Sequence, residues 1–177
     1  MTMPGAGEPS ATVVGEGRGA DGRAGRRTVV DADGRAKAYR PLAASARTAA
    51  VIAGLHAYET GDYFEAHELM EPAWMGSDDP AERDLIQGLI KLAAADVHGV
   101  RGNPAGVARN LQGARERLGR VSRDDAIPEI EVDLSGLLDA IDRRLAKLAG
   151  APDVAASAGS PDPTAVTDPI AVTWRRR

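Results

Sequence analysis

Apolar residues recur at helical spacing through the middle of the chain and not at its two ends. Between about residue 41 and residue 150 they return every three or four positions, as they do along one face of an α-helix. Glycine, proline and aspartate interrupt this pattern at intervals, and we find no alternation of the kind that marks a ladder of strands. The pattern predicts an all-α fold, a compact bundle of about five helices with short loops, flanked by disordered tails.

Residues with known preferences for helix ends divide this region. Pro41 suits the first turn of the first helix, where its missing N–H has no partner to lose. Gly61 suits the left-handed residue that stops a helix, and Asp62 with Glu65 has the spacing of a capping box for the second helix. Pro72 is expected to end or kink that helix, because its ring clashes with the preceding turn.

The same signals predict three more helices. Asp79 and Glu82 have capping-box spacing at the start of the third helix, which should extend to about His98. Asn103 is suited to cap the fourth helix, and the fifth should begin near Asp133. The irregular stretch between the fourth and fifth helices is expected to lay three apolar side chains across the core: Ile127, Ile130 and Val132.

The two ends of the chain differ from the middle in composition. Residues 1–36 are rich in Gly, Arg, Ala and Asp and cannot bury enough apolar surface to offset the loss of chain entropy, so we expect a disordered N-terminal arm. Residues 151–177 contain several prolines and are expected to form a flexible C-terminal tail. The all-α domain is therefore expected to cover residues 37–150.

Charge and cysteine content narrow the class of protein. The formal net charge of -4 argues against broad binding to nucleic acid, because neutralising phosphates needs a basic surface. The absence of cysteine excludes disulfides, thiolate nucleophiles and cysteine-ligated metal sites. No apolar run approaches the length of a membrane span, so we expect a cytoplasmic protein with no membrane partner.

Candidate chemistry is concentrated in the second helix. On the helical wheel His67 and Glu71 lie one turn apart at the border of the apolar arc, next to Phe64, and Glu68 lies further toward solvent. Groups at such a border are half-buried, so they can be ordered and still reach a ligand. The spacing H-E-x-x-E resembles the metalloprotease pattern H-E-x-x-H, with Glu71 in place of the second histidine.

The third helix carries a second set of polar residues. Its polar stripe consists of Asp84, Gln87, Lys91 and His98. Antiparallel packing of the second and third helices could bring this stripe toward His67 and Glu71. Asp96 falls instead among apolar residues, where a carboxylate must be paired or neutral, and we expect Arg101 or an arginine of the fourth helix to be its partner.

Three chemical interpretations of these residues stay open. In the first, His67, Glu71 and His98 bind a divalent metal such as zinc or iron, and Glu68 is the general base of a hydrolase. In the second, a hydrogen-bonded His–Glu pair only stabilises the border of the helix. In the third, the residues line a pocket that binds a small ligand or a protein segment without a metal. The candidate site as a whole consists of Phe64, His67, Glu68, Glu71, Trp74, Gln87, Lys91, His98 and Asn103.

The order of these residues resembles that of a known family, the small bacterial and archaeal helical proteins of domain of unknown function family 309. The matching pieces are, in order, the block 61–68, Glu71, Trp74, the run 87–95, His98 and the turn 102–106. The resemblance covers about residues 45–120 and implies a compact all-α bundle. It places the family pattern on Phe64, His67, Glu68, Glu71, Trp74, Gln87, His98 and Asn103, and it implies no particular activity.

The sequence is therefore compatible with three classes of function. We expect a protein with a half-buried polar pocket that binds a small ligand or a protein segment. The alternatives are a hydrolase with a divalent metal as cofactor, and a structural or adaptor module whose partner face includes Trp74 and the arginine-rich fourth helix. The sequence is also compatible with a homodimer, because a thin helical core bordered by aromatic residues is often completed by a second copy of the chain.

Overall fold

Five helices and two pairs of short strands form the part of the protein that the computed structural model describes, namely residues 28–30, 36–38, 41–121, 126–150 and 166–177. The helices are α1 (Ala44–Glu59), α2 (Tyr63–Gly76), α3 (Pro80–Val100), α4 (Pro104–Leu118) and α5 (Leu134–Gly150). The strands are β1 (Thr28–Val30), β2 (Ala36–Ala38), β3 (Ile130–Val132) and β4 (Trp174–Arg176). The prediction of an all-α bundle of five helices is confirmed.

The strand pairs were not predicted. β1 pairs antiparallel with β2, and β3 pairs antiparallel with β4 in a register that places Val132 opposite Trp174. Each strand has 3 residues, too few to show the alternation by which strands are found in a sequence. β1 and the first residue of β2 fall within the predicted N-terminal arm, 1–36. The remaining residues of that arm lie outside the described residues, so its disorder stays a prediction.

Side-chain caps begin three of the helices, as predicted. Asp62 Oδ1 accepts a hydrogen bond from the Glu65 N–H at 3.1 Å at the start of α2. Asp79 Oδ1 does the same for two N–H groups of α3, and Asn103 Oδ1 accepts from the Gly106 N–H at the start of α4. These contacts satisfy backbone donors that the first turn of a helix leaves open.

Two proline predictions differ from the structure. α1 begins at Ala44 rather than at Pro41, because the intervening chain is extended and the Leu42 N–H donates to the Gly76 carbonyl at 3.2 Å. α2 does not end at Pro72, the first of the two predicted outcomes, but continues to Gly76, and a kink at Pro72 stays a prediction. Pro72 faces solvent while the following Ala73 and Trp74 are buried, so the packing of the last turn holds the helix together across the missing N–H.

Consecutive helices pack against one another around a single core. α1 packs on α2, α2 on α3, α3 on α4 and α4 on α5. The tight turns after α1 and α3 use Gly61 at φ +84° and Gly102 at φ +63°, which other residues rarely adopt. Ile127, Ile130 and Val132 are buried against this core, as predicted. None of the helices described is both long and apolar enough to cross a membrane.

The last twelve residues of the chain contact the helical body. We call residues 166–177 the C-terminal segment. Its side chains Val166, Ile170 and Val172 are at most 8% exposed, and its strand β4 pairs with β3. The prediction of a flexible tail over 151–177 did not include these contacts, and residues 151–165 of that tail lie outside the described part of the chain.

Candidate functional site

Three side chains of α2 bring potential metal-binding atoms together. One ligand atom from each of His67, Glu68 and Glu71 lies within 4.8 Å of the other two, and we call these residues the α2 cluster. Within this cluster His67 Nδ1 and Glu68 Oε1 are 3.1 Å apart. Over the residues that the structure describes, this is the only group of three histidine, aspartate or glutamate side chains with that geometry.

The cluster is ordered by its helix and open to solvent. The buried face of α2 consists of Ala66, Met70, Ala73, Trp74 and Gly76. His67 and Glu71 are half-buried at the edge of this face, and Glu68 is exposed. Phe64, one turn before Glu68, is 60% exposed, which is unusual for a large apolar side chain. The cluster therefore combines fixed donors with access for a ligand.

Two residues of the polar stripe of α3 contact α4. Arg117 Nη1 of α4 donates to Asp84 Oδ1 at 2.9 Å. The Lys91 side chain lies across Gly113 of α4, with its Cδ only 2.7 Å from where a Cβ on that glycine would be. Glycine at this position gives the lysine the space it occupies. These contacts direct the stripe toward α4, whereas the sequence was compatible with its facing α2.

His98 also faces α4. Its Nδ1 is 3.1 Å from Asn103 Nδ2, and its ring lies 2.5 Å from where a Cβ on Gly106 would be. Asn103 also caps α4, so this pair belongs to the turn between α3 and α4. The structure does not place His98 in the metal-competent group with His67 and Glu71.

Two further residues of the candidate site belong to the interior. Gln87 is 9% exposed and Trp74 is 4% exposed. The guanidinium carbon of Arg83 lies 5.8 Å from the centroid of the Trp74 ring, which covers the ring with a cation. A partner face that includes Trp74, as the adaptor hypothesis expected, would need this side chain to leave the core. Phe64 is the exposed aromatic residue of α2.

A buried polar group that the sequence did not predict joins α1, α3 and α5. Arg144 Nη1 donates to Asp96 Oδ1 at 2.5 Å, and the Tyr58 hydroxyl lies 2.5 Å from Asp96 Oδ2. We call these three residues, each at most 6% exposed, the buried triad. The expected pairing of Asp96 with Arg101 or an α4 arginine was wrong. The signal for Arg144 is its place one turn after Ile141, on the apolar face of α5.

Burial shifts the pKa values of two members of the triad. It raises the pKa of Asp96 above its ordinary value, although hydrogen bonds from Tyr58 and Arg144 act in the opposite direction. Burial, together with the neighbouring Asp96, also raises the pKa of Tyr58. The Tyr58 hydroxyl donates to Asp96 Oδ2, and the Ile170 carbonyl oxygen, 2.9 Å away, is a second acceptor for the same hydroxyl.

Comparison with known proteins finds a family model that matches the middle of the chain. A family model described as "Domain of unknown function (DUF309)" matches residues 51–110, which run from α1 into α4 and include the α2 cluster. No curated protein and no solved structure was found to match the chain. The match is narrower than the 45–120 expected from the sequence, and it contains every residue of the candidate site. The resemblance of this chain to the DUF309 family is therefore confirmed over residues 51–110.

Proposed function

We propose that this protein binds a divalent metal ion at the α2 cluster and acts by binding rather than by covalent catalysis. The observation that carries the proposal is the approach of His67, Glu68 and Glu71 to within 4.8 Å at an accessible border of α2. One imidazole nitrogen and two carboxylate oxygens form a mixed donor set, which suits zinc, manganese or iron(II).

The geometry requires only small side-chain adjustments. A metal ion with bonds of about 2.1 Å keeps its ligand atoms no more than about 4.2 Å apart. Atoms separated by up to 4.8 Å would therefore close by about 0.6 Å, a change that small side-chain rotations can produce at the edge of the helix. Three protein ligands leave coordination positions open, and the exposed ring of Phe64 offers an apolar surface beside them for a small ligand or a peptide side chain.

A metal-dependent hydrolase is a weaker interpretation of the same residues. Its expected base, Glu68, is itself one of the three donor groups. Its expected third ligand, His98, is in contact with Asn103 at the start of α4. A binding role needs only these three donor groups, whereas the hydrolase needs a base in addition to them.

Calorimetric titration of the full chain with Zn²⁺ and with Mn²⁺ tests the proposal. We expect saturable binding of about one ion per chain. His67→Ala and Glu71→Gln should each lower the affinity by at least about 10- to 100-fold, because that range is typical for losing a group that only supports a metal ligand, and here the ligand itself is lost. Circular dichroism of each variant should match the wild type, because these side chains are not in the core.

The chain offers a matched control in α1. His56 Nδ1 is 3.1 Å from Glu59 Oε2, the same separation as in the α2 cluster, but no third donor joins this pair in the described residues. Glu59→Gln should leave metal binding unchanged. Equal losses in Glu59→Gln and Glu71→Gln, or no saturable binding by the wild type, would contradict the proposal.

A further inference from the structure

The C-terminal segment lies on the helical body as a peptide lies on a receptor. Three of its apolar side chains are buried: Val166, Ile170 and Val172. Val166 lies in a short helical turn. Ile170 and Val172 follow outside that turn, and their spacing of two residues places both on one side of the chain, as in short peptides that fill the pockets of a groove. The contacts described next show that the body also recognises the main chain of the segment.

Two buried side chains of the body reach main-chain oxygens of the segment. Arg144 Nη2 donates to the Val166 carbonyl at 2.9 Å, and the Tyr58 hydroxyl lies 2.9 Å from the Ile170 carbonyl. Further along, β4 extends β3 as a second strand. Hydrogen bonds to carbonyl groups and the addition of a strand bind a peptide through features that every sequence shares, and the apolar anchors then provide selectivity.

The receptor side of these contacts is held in place by the body itself. Asp96 contacts both Arg144 and Tyr58, so that the two groups are oriented by a residue outside the segment. Gly99 of α3 leaves room for the peptide, since a Cβ there would lie 2.7 Å from the Val166 carbonyl oxygen. A fixed set of buried donors and a space cleared by glycine are features of a formed groove.

The far end of the segment matches the body in charge and shape. Trp174 Nε1 donates to Glu59 Oε1 at 2.7 Å, and its ring meets His56 edge-on at a centroid distance of 5.0 Å. Arg175 Nη2 donates to both carboxylate oxygens of Glu131 at 2.9 Å. The basic, aromatic end of the segment therefore lies against acidic residues of α1 and β3.

We propose that the surface formed by α1, α3, α5 and β3 is a peptide-binding site, that residues 166–177 are its ligand, and that a second copy of the chain can supply this ligand. The contacts that hold the segment join it directly to the body, and none of them is made by residues 151–165. The site is separate from the α2 cluster, so metal binding and peptide binding can fail independently.

Cutting the connection makes the proposal measurable. A covalent connection between a ligand and its receptor gives the ligand a high effective concentration, which would mask competition in the intact chain. We would place a protease recognition sequence within 151–165 of the full chain, cleave it, and add a fluorescent synthetic peptide of residues 166–177. Fluorescence anisotropy should show uptake of the peptide and its displacement by unlabelled peptide. A peptide with Ile170→Asp should bind about tenfold more weakly or worse, because it places a charge in an apolar pocket.

Two helical glycines provide a matched pair of receptor variants. Gly99→Ala places a methyl group against the Val166 main chain, whereas Gly113→Ala places one against the flexible side chain of Lys91. Both substitutions favour the helix, so only the contact with the segment separates them. We expect uptake of the peptide to weaken about tenfold in Gly99→Ala and to be unchanged in Gly113→Ala.

Three results would overturn the proposal. The first is unfolding of the cleaved protein, which would show that the segment is an integral part of the core. The second is no uptake of the labelled peptide even on prolonged warming, which would show that the segment is permanently fixed. The third result concerns the second copy: sedimentation of the intact chain should show a dimer that grows with protein concentration and is lost in Ile170→Asp. A monomer at every concentration would remove the second copy as a source of the ligand.

Discussion

Arg144 and Asp96 form an ion pair at 2.5 Å in which the side chains are only 4% and 3% exposed. The pair ties α5 to α3 at the centre of the protein, and Arg144 uses a second nitrogen to bind the main chain of the C-terminal segment. One residue therefore contributes to the stability of the helical body and to the groove on its surface.

Removing one member of this pair should destabilise the protein more than removing both. Arg144→Met leaves the Asp96 carboxyl buried without its cation and should lower the free energy of unfolding by about 3–5 kcal/mol. The double variant Asp96→Leu/Arg144→Met should recover much of that loss, because no charge is left unpaired. Urea unfolding of the two single variants and the double variant gives the comparison. Additive losses would show that the pair is not coupled.

The pH dependence of stability should report the raised pKa of Asp96. A carboxyl whose pKa is raised in the folded state holds its proton where the unfolded chain has lost it, so its stabilising contribution is full below about pH 4 and is lost as pH rises through the folded pKa. Asp96→Asn keeps a neutral group of similar shape. The urea midpoint of the wild type should therefore fall relative to that of Asp96→Asn between about pH 4 and pH 7. A rise of the wild-type urea midpoint relative to that of Asp96→Asn would mean that Arg144 holds the pKa of Asp96 below its ordinary value.

A second buried carboxylate holds the start of the bundle together. Glu82, 5% exposed, accepts hydrogen bonds from Arg47 Nε at 2.8 Å and Arg47 Nη2 at 2.9 Å, and from the Ser77 hydroxyl at 2.5 Å. Glu82→Gln should cost about 1.5–3 kcal/mol of unfolding free energy, the size expected for hydrogen bonds to a charged group.

The exposed pair of Arg120 and Glu116 on α4 serves as its control. Glu116→Gln removes a carboxylate from an ion pair of the same chemistry, but solvent screens this pair, so the urea midpoint should hardly move. Similar shifts in Glu82→Gln and Glu116→Gln would show that burial adds nothing to the Arg47 contact.

Truncating the two aromatic residues that flank the α2 cluster should change the stability of the protein by very different amounts. Trp74→Ala removes a ring that is 4% exposed and should cost about 3–5 kcal/mol of unfolding free energy. Phe64→Ala removes a ring that is 60% exposed and should change stability by no more than about 0.5 kcal/mol. If the Phe64 variant also bound a metal-coordinated ligand more weakly, its ring would belong to the binding surface. A large loss of stability in Phe64→Ala would instead place the ring in the folding core.

Contacts within one helix could be predicted from the sequence, and contacts between helices could not. The caps Asp62, Asp79 and Asn103 depend on residues two or three positions away, and the α2 cluster depends on residues one and four positions apart. Periodicity is enough to place such groups together. The direction in which a stripe faces also depends on which neighbour has room for it, and here the glycines of α4 made room for Lys91 and His98.

The capping box at α3 shows how tertiary contacts replace a local one. The spacing of Asp79 and Glu82 predicted that the glutamate would bond back to the Asp79 N–H. In the structure that N–H donates to the Ser77 hydroxyl at 3.3 Å, and Glu82 binds Arg47, 35 positions earlier in the chain. A bidentate guanidinium is a stronger partner for a carboxylate than a single amide. Arg144 could not be predicted as the partner of Asp96 for the same reason, because the two residues are 48 positions apart in the sequence.

The sequence separation of the groove contacts gives the segment a place in the order of folding. Tyr58 and Ile170, which meet in the groove, are 112 positions apart, whereas each helix from α1 to α4 packs on the next one along the chain. Contacts between distant positions cost more chain entropy to form than contacts between neighbours. The helical body should therefore fold first, and the groove should receive the segment in a later step.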